Sequence, residues 1–177
     1  MTTSATQRLF FALWPPASIA LALHKAAEAA LPITKGRIMD QESLHLTLAF
    51  LGDIPITCVR DVQAIAASIQ QPAFDVCLDQ VNYWPHNRLL WAGCRQPSPP
   101  LMALATTLQS QLRNAGFPLE ERPFVPHVTL QRHCQAAHES SLPLLRWRAD
   151  HFALVASNPQ LGRARYTTLM EWPLTDH

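Results

Sequence analysis

The chain has 177 residues, 48% of them hydrophobic and 15% charged, with a formal net charge of +1. That supplies enough apolar side chain for one well-buried domain, and the near-zero charge argues against a broad basic surface that tracks nucleic-acid duplexes, so any phosphate contact is expected to be local. Cys58, Cys77, Cys94 and Cys134 are scattered with no C-x-x-C pair, which speaks against a zinc ribbon or a disulfide framework and for reduced thiols.

Met1 to Arg8 is polar, and no later apolar run reaches membrane-spanning length, so a soluble, unexported, cytoplasmic protein without a membrane partner is expected. Arg8 to Trp14, RLFFALW, reads as a buried strand ending at Pro15-Pro16. A helix follows, with Ser18 as its N-cap and Ile19, Leu23, Ala26, Ala27 and Ala30 on one face, and Pro32 is expected to stop it. Lys35-Gly36 opens a loop to a strand over Leu44 to Leu51 that closes at Gly52-Asp53. Thr57 is the expected cap of a second helix striped by Val59, Val62, Ile65, Ala66 and Ile69, broken at Gln70-Gln71-Pro72.

Phe74, Val76 and Leu78 alternate with Asp75, Cys77 and Asp79, the pattern of a half-exposed strand, and Leu89 to Ala92 reads as another. Gln96 to Pro100, QPSPP, is a stiff polar linker. Leu101, Leu104, Leu108 and Leu112 form the clearest helical stripe, ending at Asn114-Ala115-Gly116. A strand with His127, a loop from His133 to Pro143, and strands over Phe152 to Ala156 and Tyr166 to Trp172 complete the chain.

Two of these strands share a tetrapeptide: His45-Leu46-Thr47-Leu48 and His127-Val128-Thr129-Leu130. With a period of two, histidine and threonine point one way and the aliphatic residues the other. Packing asks for the aliphatic positions only, so repetition of the polar face marks it as functional. The triplet Phe-Ala-Leu, at Phe11-Ala12-Leu13 and again at Phe152-Ala153-Leu154, is a second hint of duplication. Together they suggest two α+β halves, each with one H-x-T strand, about an approximate two-fold axis and a central groove.

Two imidazoles across a phosphate form an acid and base pair, because the group titrates near neutrality and can donate or accept a proton. Phosphodiester hydrolysis needs a base for the attacking water and an acid for the leaving oxygen on the opposite side. Threonine hydroxyls can donate to the non-bridging oxygens. Arg132, five residues after His127, offers a donor fork for phosphate and a planar face for a base. Which histidine is the acid stays open on the residues alone. His133 directly follows Arg132 and is read as crowding the groove mouth, whereas His24, His86, His138, His151 and His177 are read as surface or structural.

HLTLAFLGD near residue 45, RPFVPHVTL near residue 127, the RLFFAL opening and the Arg163 to Leu169 stretch together resemble the RNA 2′,3′-cyclic phosphodiesterase family, within the two-histidine phosphoesterase superfamily. The resemblance covers nearly the whole chain. It implies one two-lobed domain over 1–177, with a bilobal, pseudo-two-fold duplicated α+β fold, antiparallel sheets lining a central cleft, helices on the outer faces and one H-x-T strand per lobe. It further implies opening of an RNA terminal 2′,3′-cyclic phosphate to a 2′-phosphomonoester without metal or nucleotide cofactor, with 2′-5′ joining in reverse. By the same resemblance His45 is the proton donor to the departing O3′ and His127 the base, Thr47 and Thr129 hold the phosphate, and Arg132 contacts the phosphate or terminal base. Phe11 is a candidate for stacking on a base, against the core position its buried strand gives it. The expected partners are RNA 3′ ends with a cyclic phosphate, tRNA halves among them, acted on by a monomer. The alternatives are a related enzyme acting on ADP-ribose cyclic phosphate or 2′-5′ oligoadenylate, and a non-catalytic RNA-end binder. A metal-dependent hydrolase is the weakest alternative, since no H-x-x-x-H or carboxylate cluster accompanies the histidines.

Overall fold

Apolar alternation turns most of this chain into antiparallel strands, and the computed structural model describes residues 5–160 and 163–175. The elements run β1 (Thr6–Leu13), α1 (Ala17–Thr34), β2 (Arg37–Ile38), β3 (Leu46–Pro55), α2 (Val59–Ala67), β4 (Phe74–Trp84), β5 (Leu89–Gly93), α3 (Pro99–Asn114), β6 (His127–Arg132), β7 (Ser140–Ala149), β8 (His151–Gln160) and β9 (Arg163–Pro173). Among the described residues all nine strands join one sheet in the order β7-β4-β5-β6-β3-β1-β8-β9, with β2 also on β6. The two H-x-T strands are therefore its central neighbours.

They meet at a single antiparallel register, Leu46 opposite Val128, and diverge on either side of it. Four strands lie on each flank, so β3 corresponds to β6, β1 to β5, β4 to β8 and β7 to β9. The fold is the expected duplicated α+β arrangement. The repeated Phe-Ala-Leu triplet, however, does not mark the duplication. Its two copies lie side by side in the same half, where Phe11 pairs with Leu154 and Ala12 with Ala153; the counterpart of β1 is β5, whose Leu-Leu-Trp-Ala shares only apolar character with it.

Each H-x-T strand carries a one-residue bulge just after its threonine. On β3, Thr47 pairs with Ala12 and Ala49 with Phe11, leaving Leu48 as the extra residue. On β6, Thr129 pairs with Trp91 and Gln131 with Leu90, leaving Leu130. Leu48 and Ala49 are consequently both buried, as are Leu130 and Gln131. A bulge strands one carbonyl, and both are satisfied from elsewhere: Gln109 Nε2 of α3 donates to Leu48 O at 2.7 Å, and the Met39 N–H donates to Leu130 O at 2.9 Å. Beyond each bulge the alternation is reversed.

The helices pack across the duplication. α1, which follows β1, lies against β6 and β7 of the opposite half, while α3, which follows β5, contacts β3. The α3 stripe is the expected one: Leu101, Leu104, Leu108 and Leu112 are all buried. With Leu9, Phe11, Leu46, Leu48, Val128, Leu130 and Phe152 they belong to one contiguous core fed by both halves.

Several boundaries differ from those expected. Pro16, with no side-chain cap bond, precedes α1 rather than Ser18, and the helix runs through Pro32 to Thr34 before Lys35 turns left-handed at φ 51°. Pro32 is exposed, as is Glu28 four residues before it, whose carbonyl the proline cannot serve. The end is instead set by tertiary bonds: Thr34 Oγ1 donates to Gln131 Oε1 at 2.5 Å, and Gln131 Nε2 donates to Ala27 O at 2.7 Å. Thr57 falls in a short 3-10 turn, and Cys58 occupies the cap of α2. The last two prolines of QPSPP, Pro99 and Pro100, start α3 at its first positions rather than linking to it. β3 does not close at Gly52-Asp53, because Gly52, at φ 73°, forms a second bulge and the strand stays paired to Pro55. β7 takes up the end of the expected loop and runs on to Ala149; Leu145, Trp147 and Ala149 alternate there with the exposed Arg146 and Arg148, a strand pattern that the sequence reading passed over.

Candidate active site

The divergence of β3 from β6 opens a cleft of about 640 Å³ above their junction. His45, Thr47, His127, Thr129 and Arg132 all line it. His45 stands one residue ahead of β3, and His127 opens β6. The reason is the one the sequence offered: Leu46, Leu48, Val128 and Leu130 are at most 1% exposed on the core side, which leaves the polar partners half-buried on the other.

The two imidazoles are held alike. His45 Nδ1 lies 2.7 Å from Ser43 O, and His127 Nδ1 lies 2.7 Å from Val125 O, each two residues back along its own chain. A carbonyl oxygen only accepts, so both Nδ1 atoms carry hydrogen. Nε2 is then the working nitrogen on each ring, a proton acceptor when the ring is neutral and a donor when it is charged.

Aromatic rings pack behind both. Phe10, Tyr166 and Trp14 surround His45 at centroid distances of 4.8, 5.1 and 5.3 Å. Trp84 meets His127 edge-on at 4.5 Å, with Trp91 at 6.1 Å. Burial is the main reason the His45 imidazole is pushed down to about 4, opposed by the bond to Ser43 and reinforced by the charges of His127 and Arg132. Burial likewise lowers His127, again helped by Arg132 and opposed by its carbonyl. The protein's own groups thus hold both rings neutral at neutral pH. A bound anion is what would favour charging one of them.

Positive charge gathers where the whole chain has little. Arg8, Arg37, Arg122 and Arg132 line the cleft, against Asp40 and Glu120. Arg122 is paired with Glu120 at 2.9 Å and Arg8 with Asp53 at 3.4 Å. Among the described residues no group of three or more His, Cys, Asp or Glu is placed to hold a metal ion.

Residues 15–160 match the model of the 2′-5′ RNA ligase superfamily. The chain belongs to the 2′-5′ RNA ligase superfamily. It is 38% identical to the RNA 2′,3′-cyclic phosphodiesterase of Escherichia coli K12, over 97% of this chain and 99% of that one. Among solved structures it is similar to E. coli LigT complexed with 3′-AMP, with a TM-score of 0.91, 37% identity and coverage of 97% and 99%. TT0787 of Thermus thermophilus follows with a TM-score of 0.84, 26% identity and coverage of 96% and 98%. Near-complete coverage in both directions carries the duplicated fold of this superfamily across the whole chain.

Within that superfamily fold, one expected site residue lies elsewhere. Phe11 is fully buried on the core side of β1, against Phe152 and Trp172 at 6.2 and 6.0 Å, and cannot reach the cleft. Its neighbour Phe10 faces the cleft instead, since adjacent strand residues point oppositely. His86 also departs from expectation: it lines the cleft beside Trp84, at 6.1 Å. His133 is exposed and does not line the cleft, His24 bonds Met39 O and approaches Glu28, and His151 pairs with Asp150 and Glu171. His138 is half-buried and outside the cleft lining, and His177 lies outside the described residues. Sequence reasoning missed Trp84, Trp14 and Tyr166 as histidine neighbours. Tyr166 alone had a signal, inside the stretch that carries the family resemblance.

Proposed function

We propose that this protein is an RNA 2′,3′-cyclic phosphodiesterase that opens a terminal cyclic phosphate to a 2′-phosphomonoester by two-histidine acid and base catalysis, and that the reverse step joins RNA through a 2′-5′ linkage. The observation that carries the reading is the presentation of two Nε2 atoms and two threonine hydroxyls over one cleft from adjacent strands. The names of the similar proteins agree with it, as does the 3′-AMP complex of LigT, a nucleotide held on this fold.

In this reading a cyclic phosphate sits over Thr47 and Thr129. His127 Nε2 takes a proton from water as its oxygen bonds to phosphorus, and the bond from phosphorus to O3′ breaks. Protonated His45 Nε2 delivers its proton to O3′, leaving the phosphate on O2′. Exchange with solvent then restores both rings. The order of acid and base is the family's; the substrate's negative charge supplies the stabilisation of His45 imidazolium that the protein's own groups do not. Arg132 pairs with the phosphate or the terminal base. No step requires a metal or nucleotide cofactor. We further propose that the chain acts as one two-lobed cytoplasmic domain over 1–177, as a monomer, on RNA ends that include tRNA halves.

The test is RNA bearing a 2′,3′-cyclic end. Conversion to a 2′-phosphate, unaffected by chelator, is expected, and His45→Asn or His127→Asn should lower kcat by about 10²–10⁴-fold with circular dichroism unchanged. Binding of the RNA end without turnover would favour a non-catalytic binder. A higher kcat/KM on ADP-ribose cyclic phosphate or 2′-5′ oligoadenylate would move the assignment to a relative.

A further inference from the structure

We propose that the turn between β4 and β5, with Trp84, His86 and Asn87, is the subsite for the nucleoside whose free 5′-hydroxyl is joined to the cyclic phosphate; this rests on the two-histidine reading of the cleft. The line of attack decides which wall that nucleoside meets. Entering and leaving oxygens stand on opposite sides of phosphorus, so with His45 at the departing O3′, whatever enters does so beside His127. Water needs nothing further there. An RNA 5′ end brings a ribose and a base with it, and these must lie against the groups that flank the His127 ring. In the joining step the 5′ oxygen bonds to phosphorus as its proton passes to His127 Nε2. The bond from phosphorus to O3′ breaks and O3′ takes the proton of His45 Nε2, leaving a 2′-5′ diester.

The two imidazoles are flanked unequally. His45 is closed in by Phe10, Tyr166 and Trp14, and its bond to Ser43 is half-buried, whereas the bond of His127 to Val125 is exposed. On this more open side Trp84 meets His127 edge-on at 4.5 Å. The Trp84 indole also packs on Trp91 at 4.7 Å, yet it stays half-buried and lines the cleft, so part of its surface faces the space beside His127. His86 stands 6.1 Å from it and Asn87 follows, both exposed in the turn and both lining the same cleft. The turn is tied down by Arg88, left-handed at φ 57°. Its Nε donates to Cys134 O at 2.9 Å, its Nη2 to His133 O at 3.2 Å, and its own carbonyl accepts from the Cys134 N–H at 3.0 Å. These bonds fasten the hairpin just past the end of β6, the strand that His127 opens. Arg88 is thereby engaged with backbone carbonyls, and the turn presents no fixed charge to the cleft, as suits an acceptor that ends in a hydroxyl. An indole stacks on any base, and an imidazole and a carboxamide offer donors and acceptors to a sugar or a base edge.

The deciding experiment offers RNA with a 2′,3′-cyclic end two acceptors in turn, an oligonucleotide with a free 5′-hydroxyl and methanol, which has the hydroxyl without the nucleoside. The ratio of joined to hydrolysed product is measured for each. Any damage to His127 itself slows both products together and cancels in the ratio. Trp84→Ala is expected to lower the oligonucleotide ratio by about ten- to a hundredfold and to leave the methanol ratio unchanged, with Trp84→Phe close to wild type. The double variant His86→Ala and Asn87→Ala, at exposed turn positions, asks the same question without disturbing the packing of Trp84, and about a tenfold fall is expected. An unchanged oligonucleotide ratio, or equal falls with both acceptors, overturns the subsite. Photo-crosslinking gives a readout free of turnover. A short RNA with a 5′-terminal 4-thiouridine, irradiated on wild type, should attach to Trp84, His86 or Asn87. Should wild type open no cyclic phosphate, the phosphodiesterase reading falls, while attachment at these residues keeps the nucleoside subsite and attachment confined to other segments removes it.

Discussion

Each histidine here is oriented by a carbonyl of its own chain rather than by a carboxylate. The Ser43 and Val125 oxygens fix the ring and its tautomer without adding a full negative charge, so they offset burial among aromatic rings only in part, and both imidazoles titrate below their ordinary range. This has a kinetic consequence. The pH dependence of kcat/KM reports free enzyme and that of kcat the complex, where the phosphate's negative charge raises the affinity of either ring for a proton. Both profiles should be bell-shaped, with the kcat/KM bell displaced to lower pH than the kcat bell, and with limits that belong to the coupled pair. Coincident bells across pH 4 to 9 would contradict this electrostatic picture. Thr47→Val keeps the shape and removes the hydroxyl, so kcat should fall by about a hundredfold with KM changed much less if the bond forms mainly in the transition state. The histidine and threonine pattern was readable because the motif recurs. The aromatic neighbours Trp14 and Trp84 were not, since nothing local distinguishes an aromatic beside a histidine from one beside a leucine.

At the scale of elements, the bulges in β3 and β6 do most to shape the cleft. Each depends on a partner distant in sequence that satisfies the stranded carbonyl, and for Leu48 that partner is Gln109. Gln109→Leu removes the donor, and stability should fall by about 1–3 kcal/mol, read as a lowered denaturation midpoint at unchanged m-value. A midpoint equal to that of wild type would mean that water serves the carbonyl as well. Binary pattern located the strands, yet it misread their ends wherever glycine or proline was used for geometry other than termination. Gly52 bulges a continuing strand, and Pro32 sits in a last turn that Gln131 holds closed. The residues exposed to the cleft after each bulge, Phe50 and Arg132, lie out of phase with a simple alternation. Arg132 drew attention through its charge and its nearness to His127. Phe50, inside an apolar run, did not.

For the whole molecule, the crossing of α1 and α3 onto opposite halves makes the site and the fold one energetic unit. His45 links them through pH. Its folded value of about 4 lies below the ordinary 6.5, so between those values an unfolded chain binds a proton that the fold refuses. Stability is therefore full above about pH 6.5 and is lost as pH falls toward 4; from pH 7 to pH 5 the loss due to this residue is about 2 kcal/mol, and the lowered His127 adds in the same direction. Chemical denaturation at the two pH values should show a smaller difference for His45→Asn than for wild type. An equal difference would place the pH dependence elsewhere. Local chemistry alone determined a good deal of this protein: the strand character of both H-x-T segments, the buried stripe of α3, and the polar face each motif turns from the core, because periodicity depends only on backbone geometry and hydrophobicity. What needed the tertiary structure was the single register at which Leu46 meets Val128, the bulges that re-aim Phe50 and Arg132, and the exclusion of Phe11 in favour of Phe10. These are set by pairing between segments far apart in the chain, and a one-residue slip in such pairing turns a side chain from cleft to core.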